Sequence, residues 1–113
     1  MKVISDRISL SELKQMADEM FGNLVKAVVD IEQEIIALGG ELHSDGESML
    51  LKSGSKQKDL WGINLYPELK GDDFIEFDSM INLRPSQGNC SRGVNDPGVT
   101  KRIKAIVNKL IEK

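Results

Sequence analysis

The sequence predicts a single α+β domain, in which an antiparallel sheet of about four strands carries the N-terminal and C-terminal amphipathic helices on one face, with a short third helix. Three observations predict this fold. Apolar residues recur at helical spacing near both ends of the chain, strand-like apolar runs fill its middle, and no repeat or Pro/Gly-rich linker interrupts it. Residues 1–113 are therefore expected to form one domain, at a length that supports one core.

A short edge strand and a helix are predicted first. Residues 2–4 favour the strand. Ser9 and Glu12 have the spacing of a capping box, and the apolar residues that follow have helical periodicity. Gly22 is suited to a left-handed C-terminal cap. We therefore expect a helix over residues 9–21.

The next segment predicts a β-hairpin, because residues 25–31 and 35–42 are two apolar runs rich in β-branched side chains. One buried helix through both runs is the alternative, and the glycines at 39–40 argue against it. Residues 44–47 resemble a second capping box, which predicts a short helix ended by Gly54.

Two alternating segments, residues 61–66 and 75–84, predict further strands joined by a turn-rich connection. Trp61 is interpreted as a core aromatic residue. In an even register, the two apolar sets share one face. The opposite face then collects Asn64, Tyr66, Glu76, Asp78, Asn82 and Arg84.

The last element is an amphipathic helix that follows a polar loop. Asp96 and Pro97 are typical of an N-cap and a first helical position. The apolar stripe of this helix consists of Val99, Ile103, Ile106, Val107, Leu110 and Ile111.

The amino-acid composition excludes several kinds of functional site. One cysteine, Cys90, and one histidine, His43, exclude an intramolecular disulfide, a multi-cysteine zinc site and a multi-histidine centre. Nucleophilic catalysis by Cys90 is disfavoured, since lone loop cysteines usually lack an activating base. No segment is apolar enough for a membrane span or a secretory signal, so a cytoplasmic protein is expected. Nucleic-acid binding is disfavoured, because the net charge is −3 and only 4% of residues are aromatic.

The charge is unevenly distributed. Residues 1–83 carry 8 Lys/Arg and 16 Asp/Glu, a net charge of −8, whereas residues 84–113 carry 7 and 2, a net charge of +5. The basic segment either complements the acidic body within the fold or builds an anion-binding face.

Glu41, His43 and Asp45 form the first candidate site. In an extended strand these alternate positions share one face, so the side chains would converge. Two carboxylates and an imidazole suit a divalent metal or a general base. This predicts a metal-assisted hydrolase with these three as candidate catalytic and metal-binding residues. The alternative is that Asp45 or Ser44 caps the next helix and His43 binds the backbone.

The polar segment 82–93 is the second candidate site. Two arginines flank neutral donors on a glycine-containing loop, a composition that suits carboxylates and phosphates. The proposed cleft lies between this loop and the strand end that carries Glu41 and His43. The alternative is a loop of turn-forming residues, with Arg84 paired to a carboxylate of its own strand. The predicted ligand-binding residues are Asn82, Arg84, Ser86, Gln87, Asn89 and Arg92.

Several motifs resemble a known family. They are Gly39-Gly40-Glu41-Leu42-His43, Gly54-Ser55 with Gln57, Asp59-Leu60-Trp61-Gly62 and Asn82-Leu83-Arg84-Pro85. The pattern spans most of the chain and is similar to small prokaryotic proteins described as domain of unknown function 5674. The resemblance implies a stand-alone prokaryotic domain and brings no activity, ligand or catalytic residue with it.

Three functional hypotheses follow. The favoured hypothesis is binding of a small anionic ligand by the Arg-flanked loop. The second is the metal-assisted hydrolase, with a divalent metal as cofactor, and the third is a homodimeric interaction module without catalysis.

Overall fold

The computed structural model describes all residues, 1–113. The helices are α1 (Leu10–Glu19), α2 (His43–Lys52) and α3 (Pro97–Leu110). The strands are β1 (Lys2–Ile4), β2 (Ile8–Ser9), β3 (Val25–Asp30), β4 (Ile35–Leu38), β5 (Leu60–Leu65), β6 (Ile75–Glu76) and β7 (Ile111–Glu112).

Five strands form the main sheet, in the order β1-β4-β3-β5-β6, and every neighbouring pair is antiparallel. The predicted hairpin is confirmed as β3 and β4, with Val28 opposite Ala37. The predicted edge strand at residues 2–4 is confirmed as β1, which pairs only with β4. The strand count of about four was too low by one, and a short parallel pair of β2 and β7 lies outside the main sheet.

Both faces of the sheet are covered. Residues Val25, Ala27 and Val29 of β3 point to one face, where they join an 18-residue core with the apolar sides of α1 and α3. Val28 points to the opposite face and packs with Leu50 of α2 in a smaller cluster. The first and last helices therefore contribute to the core on one face, and α2 occupies the other face.

Local capping chemistry determines where the two terminal helices begin and end. Ser9 accepts a hydrogen bond from the backbone N–H of Glu12 at 3.1 Å, while the Glu12 carboxylate pairs with Lys2 at 2.6 Å instead of closing the box. Gly22 adopts φ +89° and its N–H donates to the carbonyl of Ala17 at 2.7 Å. Asp96 caps α3 by accepting from the N–H of Gly98 at 2.8 Å.

The predicted strand over residues 75–84 was wrong beyond its first two residues. The even register is confirmed, because Leu65 pairs with Ile75 and Asn64 with Glu76. The chain then leaves the sheet, and Met80–Asn82 form a 3-10 turn. Gly62 explains the departure: a Cβ at this residue would lie 2.5 Å from the Ser79 hydroxyl, so the glycine admits the incoming segment.

The second helix begins one residue before the predicted capping segment. Its N-cap residue is Leu42, whose backbone N–H donates to the carboxylate of Asp45 at 3.0 Å while its carbonyl accepts from the Asp45 N–H at 3.1 Å. Strand β4 ends at Leu38, and residues 39–42 form the bend that leads into α2.

None of the helices is long and apolar enough to cross a membrane.

Candidate functional site

Arg84, a predicted ligand-binding residue, is engaged inside the protein. Its side chain is only 8% exposed and donates to the carbonyl oxygens of Gln57 and, at 2.6 Å, Leu60. Its guanidinium lies 4.1 Å from the centre of the Trp61 ring, in cation–π contact. Burial lowers the pKa of Arg84, and the nearby carboxylates of Glu47 and Asp59 oppose that shift. Arg84 therefore anchors the loop to β5.

Asn82 is fully buried and takes the place of a neighbouring strand. Its amide oxygen accepts from the N–H of Gly62 at 2.8 Å, and its amide nitrogen donates to the carbonyl of Gly62 at 2.9 Å. The same nitrogen donates to the carbonyl of Arg92 at 2.9 Å. Both backbone groups of Gly62 are thereby satisfied on the edge of β5 that faces away from β3, where β6 does not extend.

Asn89 organises the rest of the loop. Its amide nitrogen donates to the carbonyls of Asn82 at 2.7 Å and Gly93 at 2.8 Å, while its oxygen accepts from the N–H of Asn95 at 2.8 Å. Three of the six predicted ligand-binding residues, Asn82, Arg84 and Asn89, thus make structural hydrogen bonds. Ser86 and Gln87 are exposed and lie away from the cleft described below.

The Glu41, His43 and Asp45 set does not converge. The extended geometry that the hypothesis required is wrong, because α2 begins at His43, so residues 41–45 do not form a strand. Glu41 and Asp45 border one surface cavity, whereas His43 lines another. No group of three or more His, Cys, Asp or Glu side chains is placed to hold a metal ion.

A polar cleft of about 240 Å³ opens between the start of α2, the polar face of β3 and β5, and the segment 78–81. We call it the α2 cleft. Its lining consists of Lys26, Leu42, His43, Ser44, Asn64, Asp78, Ser79, Met80, Ile81 and Arg92. Of the predicted site residues, His43 and Arg92 lie here; Glu41 and Arg84 do not.

Two cations and one carboxylate border the α2 cleft. Lys26 projects from β3 and makes no ion pair, although its ammonium lies 4.9 Å from the centre of the Phe21 ring. Arg92 donates through Nε to the carboxylate of Asp78 at 2.7 Å, and its two Nη groups make no hydrogen bond. The cleft therefore has a net positive charge while His43 is neutral.

The N-terminus of α2 also faces the α2 cleft. The N–H groups of His43 and Ser44 have no acceptor, because the N-cap residue Leu42 has no polar side chain, whereas the N–H of Asp45 donates to the Leu42 carbonyl. His43 and Ser44, the first two residues of the helix, both line the cleft. Open N–H groups and the helix dipole together favour a bound anion.

His43 has a defined tautomer. Its Nε2 lies 2.8 Å from the carbonyl oxygen of Ile63, which can only accept, so this nitrogen carries a proton. Burial lowers the pKa of His43, and Lys26 adds to the effect, while the hydrogen bonds to the Ile63 carbonyl and the Asn64 side chain and the charge of Asp78 oppose it. The neutral imidazole therefore predominates near pH 7.

Asn64 forms part of the polar wall of the cleft. Its amide nitrogen donates to the carboxylate of Glu76 at 2.8 Å, and the hydroxyl of Tyr66 donates to the same oxygen at 2.8 Å. The Asn64 amide oxygen is shielded from solvent, and Asn64 lies within hydrogen-bonding reach of the His43 side chain. Asn64 therefore links His43 to Glu76 in the wall of the cleft.

Two features of the cleft, Lys26 and the N-terminus of α2, were not among the residues predicted from the sequence. The sequence contains one signal for this site, because Lys26 is the only charged residue inside the apolar run 25–29. Its pairing with Asn64 across the sheet depends on the register of β3 and β5, which the sequence did not predict.

The fold and the site define the class of this protein: an α+β domain with α1 and α3 on one face of an antiparallel sheet, α2 on the other, and a polar, cationic cleft at the start of α2. The chain belongs to the family described as protein of unknown function (DUF5674), whose model matches residues 2–110. No curated protein and no solved structure matches the chain.

Proposed function

We propose that the protein binds a small anionic ligand in the α2 cleft. The observation that carries this proposal is the open N-terminus of α2, which faces a cleft also lined by Lys26, whose ammonium makes no ion pair. Helix N–H groups and a nearby cation are a recurrent combination for holding carboxylates and phosphates.

The charge and size of the cleft indicate what kind of anion fits. Lys26 and Arg92 contribute two positive charges against the single carboxylate of Asp78. A volume of about 240 Å³ equals that of roughly eight water molecules. The cleft therefore suits a small group that carries one or two negative charges.

The proposal keeps the ligand class that the sequence suggested and changes the residues. Arg92 remains a proposed ligand-binding residue, at the rim of the α2 cleft. Arg84, Asn82 and Asn89 become the support that holds the segment 78–92 against β5, since their polar groups bind the backbone.

The test is a titration with inorganic phosphate, sulfate and acetate, followed by the backbone amide signals in NMR spectra. We expect saturable shifts centred on residues 43–44 and 78–81, at affinities that fall as salt is added. Loss of one charge-assisted contact in Lys26→Gln should weaken binding by roughly tenfold or more. Lys52→Gln, at the opposite end of α2, is the matched control and should leave affinity unchanged.

Shifts centred on residues 84–90 would place the anion on the loop instead and contradict the α2 cleft. Absence of saturable shifts with all three anions would contradict anion binding altogether. Retained folding of Lys26→Gln is checked from the same spectra.

A further inference from the structure

Two exposed apolar side chains border the α2 cleft. Among the large apolar residues of the protein, Met80 is the most exposed, at 63%, and Leu42 is the second, at 58%. Both line the α2 cleft. Apolar side chains scattered singly over a surface are ordinary, whereas two beside one cleft indicate a surface that a ligand covers.

These two side chains belong to different walls of the cleft. Leu42 is the N-cap residue of α2, and Met80 begins the 3-10 turn within the segment 78–81. Ile81 also lines the cleft, and it packs against the small apolar cluster that contains Leu50 of α2. An apolar group that enters between the walls would therefore contact aliphatic carbon on two sides, which removes apolar surface from water.

The charges in the cleft leave one positive charge without a partner. Arg92 donates through Nε to the carboxylate of Asp78 at 2.7 Å, so these two charges offset each other. His43 is neutral near pH 7, with its Nε2–H directed to the carbonyl of Ile63 at 2.8 Å. Lys26 lines the cleft and makes no ion pair. A single negative charge on the ligand therefore matches the cleft better than two.

The volume of the cleft limits the length of an apolar chain. About 240 Å³ corresponds to roughly eight groups of the size of a water molecule. A carboxylate occupies three of these groups with its carbon and two oxygens. Space for about five further carbon atoms remains.

We propose that the ligand is a monocarboxylate with a short apolar chain of about five carbon atoms beyond the carboxylate. The carboxylate binds Lys26 and the open N–H groups at the start of α2, and the chain lies between Leu42 and Met80. This inference rests on the proposed anion-binding function of the same cleft and names the class of anion.

A series of straight-chain acids tests the inference on the wild-type protein. Acetate, butyrate, hexanoate and octanoate are titrated at constant ionic strength and pH 7, and the backbone amide signals are followed by NMR. Each buried methylene should raise the affinity about three- to fourfold, so hexanoate should bind at least about thirtyfold more tightly than acetate. Octanoate extends beyond the cleft and should gain at most about twofold over hexanoate. Hexylammonium has a comparable chain with a positive charge and should not compete with hexanoate.

Variants at the two ends of the proposed ligand separate the chain from the charge. Leu42→Ala and Met80→Ala should each lower the ratio of hexanoate affinity to acetate affinity by about three- to tenfold. Lys26→Gln should weaken binding of every acid in the series by a similar factor. Leu51→Ala is the matched control, because Leu51 is an exposed residue of α2 that does not line the cleft, and it should preserve the ratio. The same spectra verify that each variant is folded.

Equal affinities for acetate and hexanoate would overturn the apolar chain and leave the anion proposal standing. Phosphate or sulfate binding more tightly than hexanoate would overturn the monocarboxylate in favour of an inorganic oxyanion. Hexylammonium that displaces hexanoate would contradict the role of the carboxylate. Absence of saturable shifts with every acid, and with phosphate and sulfate, would overturn both proposals.

Discussion

At the scale of single residues, buried amide side chains replace regular backbone pairing. Asn82 satisfies both backbone groups of Gly62, and Asn89 ties together the carbonyls around it. These bonds are buried, so a lost partner leaves a desolvated polar group that water cannot satisfy. The polar side chains of the loop therefore mainly stabilise its own fold.

We predict that Asn82→Ala lowers the free energy of unfolding by about 2–4 kcal/mol, because it leaves the N–H and the carbonyl of Gly62 without their hydrogen-bond partners. Urea denaturation followed by Trp61 fluorescence measures the loss. Asn23→Ala, at an exposed position, is the control and should change stability by less than about 0.5 kcal/mol. A loss for Asn82→Ala within the range of that control would show that the amide does not support the loop.

We predict that His43 makes stability fall on acidification. Its folded pKa is lowered from the ordinary value of 6.5, so the unfolded chain binds more protons just below neutrality. The free energy of unfolding therefore decreases as pH drops from 7 through 6.5 to the folded pKa, and this contribution is constant below that pH.

The measurement compares urea midpoints of the wild type and His43→Gln between pH 7.5 and 5. Glutamine can donate to the Ile63 carbonyl and does not titrate, so other groups that titrate contribute equally to both proteins. The wild type should lose more stability than the variant. Parallel curves would contradict a lowered pKa, and an NMR titration of the imidazole gives the value directly.

At the scale of elements, α2 owes its position to a close approach to the sheet. Gly46 faces β3, and a Cβ at this position would lie 2.9 Å from a methyl carbon of Val28 and 3.4 Å from Ala37. This approach places the N-terminus of α2 over Asn64 and Lys26. Glycine has a low helix propensity, so the close packing of α2 on β3 outweighs the helix propensity at this position.

We predict that Gly46→Ala destabilises the protein by roughly 1–2 kcal/mol, because the overpacking cost exceeds the gain of about 1 kcal/mol in helix propensity. Ser48→Ala, on the exposed side of the same helix, is the control and should be neutral or slightly stabilising. Thermal unfolding of both variants is the measurement. A higher melting temperature for Gly46→Ala would show that α2 can move away from the sheet at little cost.

At the scale of the whole molecule, three of the seven cations in the basic C-terminal segment pair with carboxylates of the acidic body. Arg92 pairs with Asp78 at 2.7 Å, Lys109 with Glu34 at 3.2 Å and Lys104 with Asp72 at 3.8 Å. The first alternative for the uneven charge, complementation within the fold, thus accounts for these three cations. Exposed pairs of this kind contribute at most about 1 kcal/mol each, so they orient the segment more than they stabilise it.

The sequence by itself determined the features that depend on neighbours in the chain. The cap at Ser9, the cap at Asp96 and the left-handed glycine at 22 are local chemistry, and each predicted a helix end to within about two residues. The β3–β4 hairpin and the buried stripe of α3 follow from periodicity, which is also local.

Only the tertiary structure decided which polar side chains remain available to a ligand. Asn82 and Arg84 looked like ligand-binding residues, yet their partners Gly62 and Leu60 lie 20 and 24 positions away along the chain. Lys26 and Asn64 looked ordinary, yet strand register brings them together under α2. A donor or acceptor has a limited number of bonds to make, and the fold determines which are made inside the protein and which are left to the cleft.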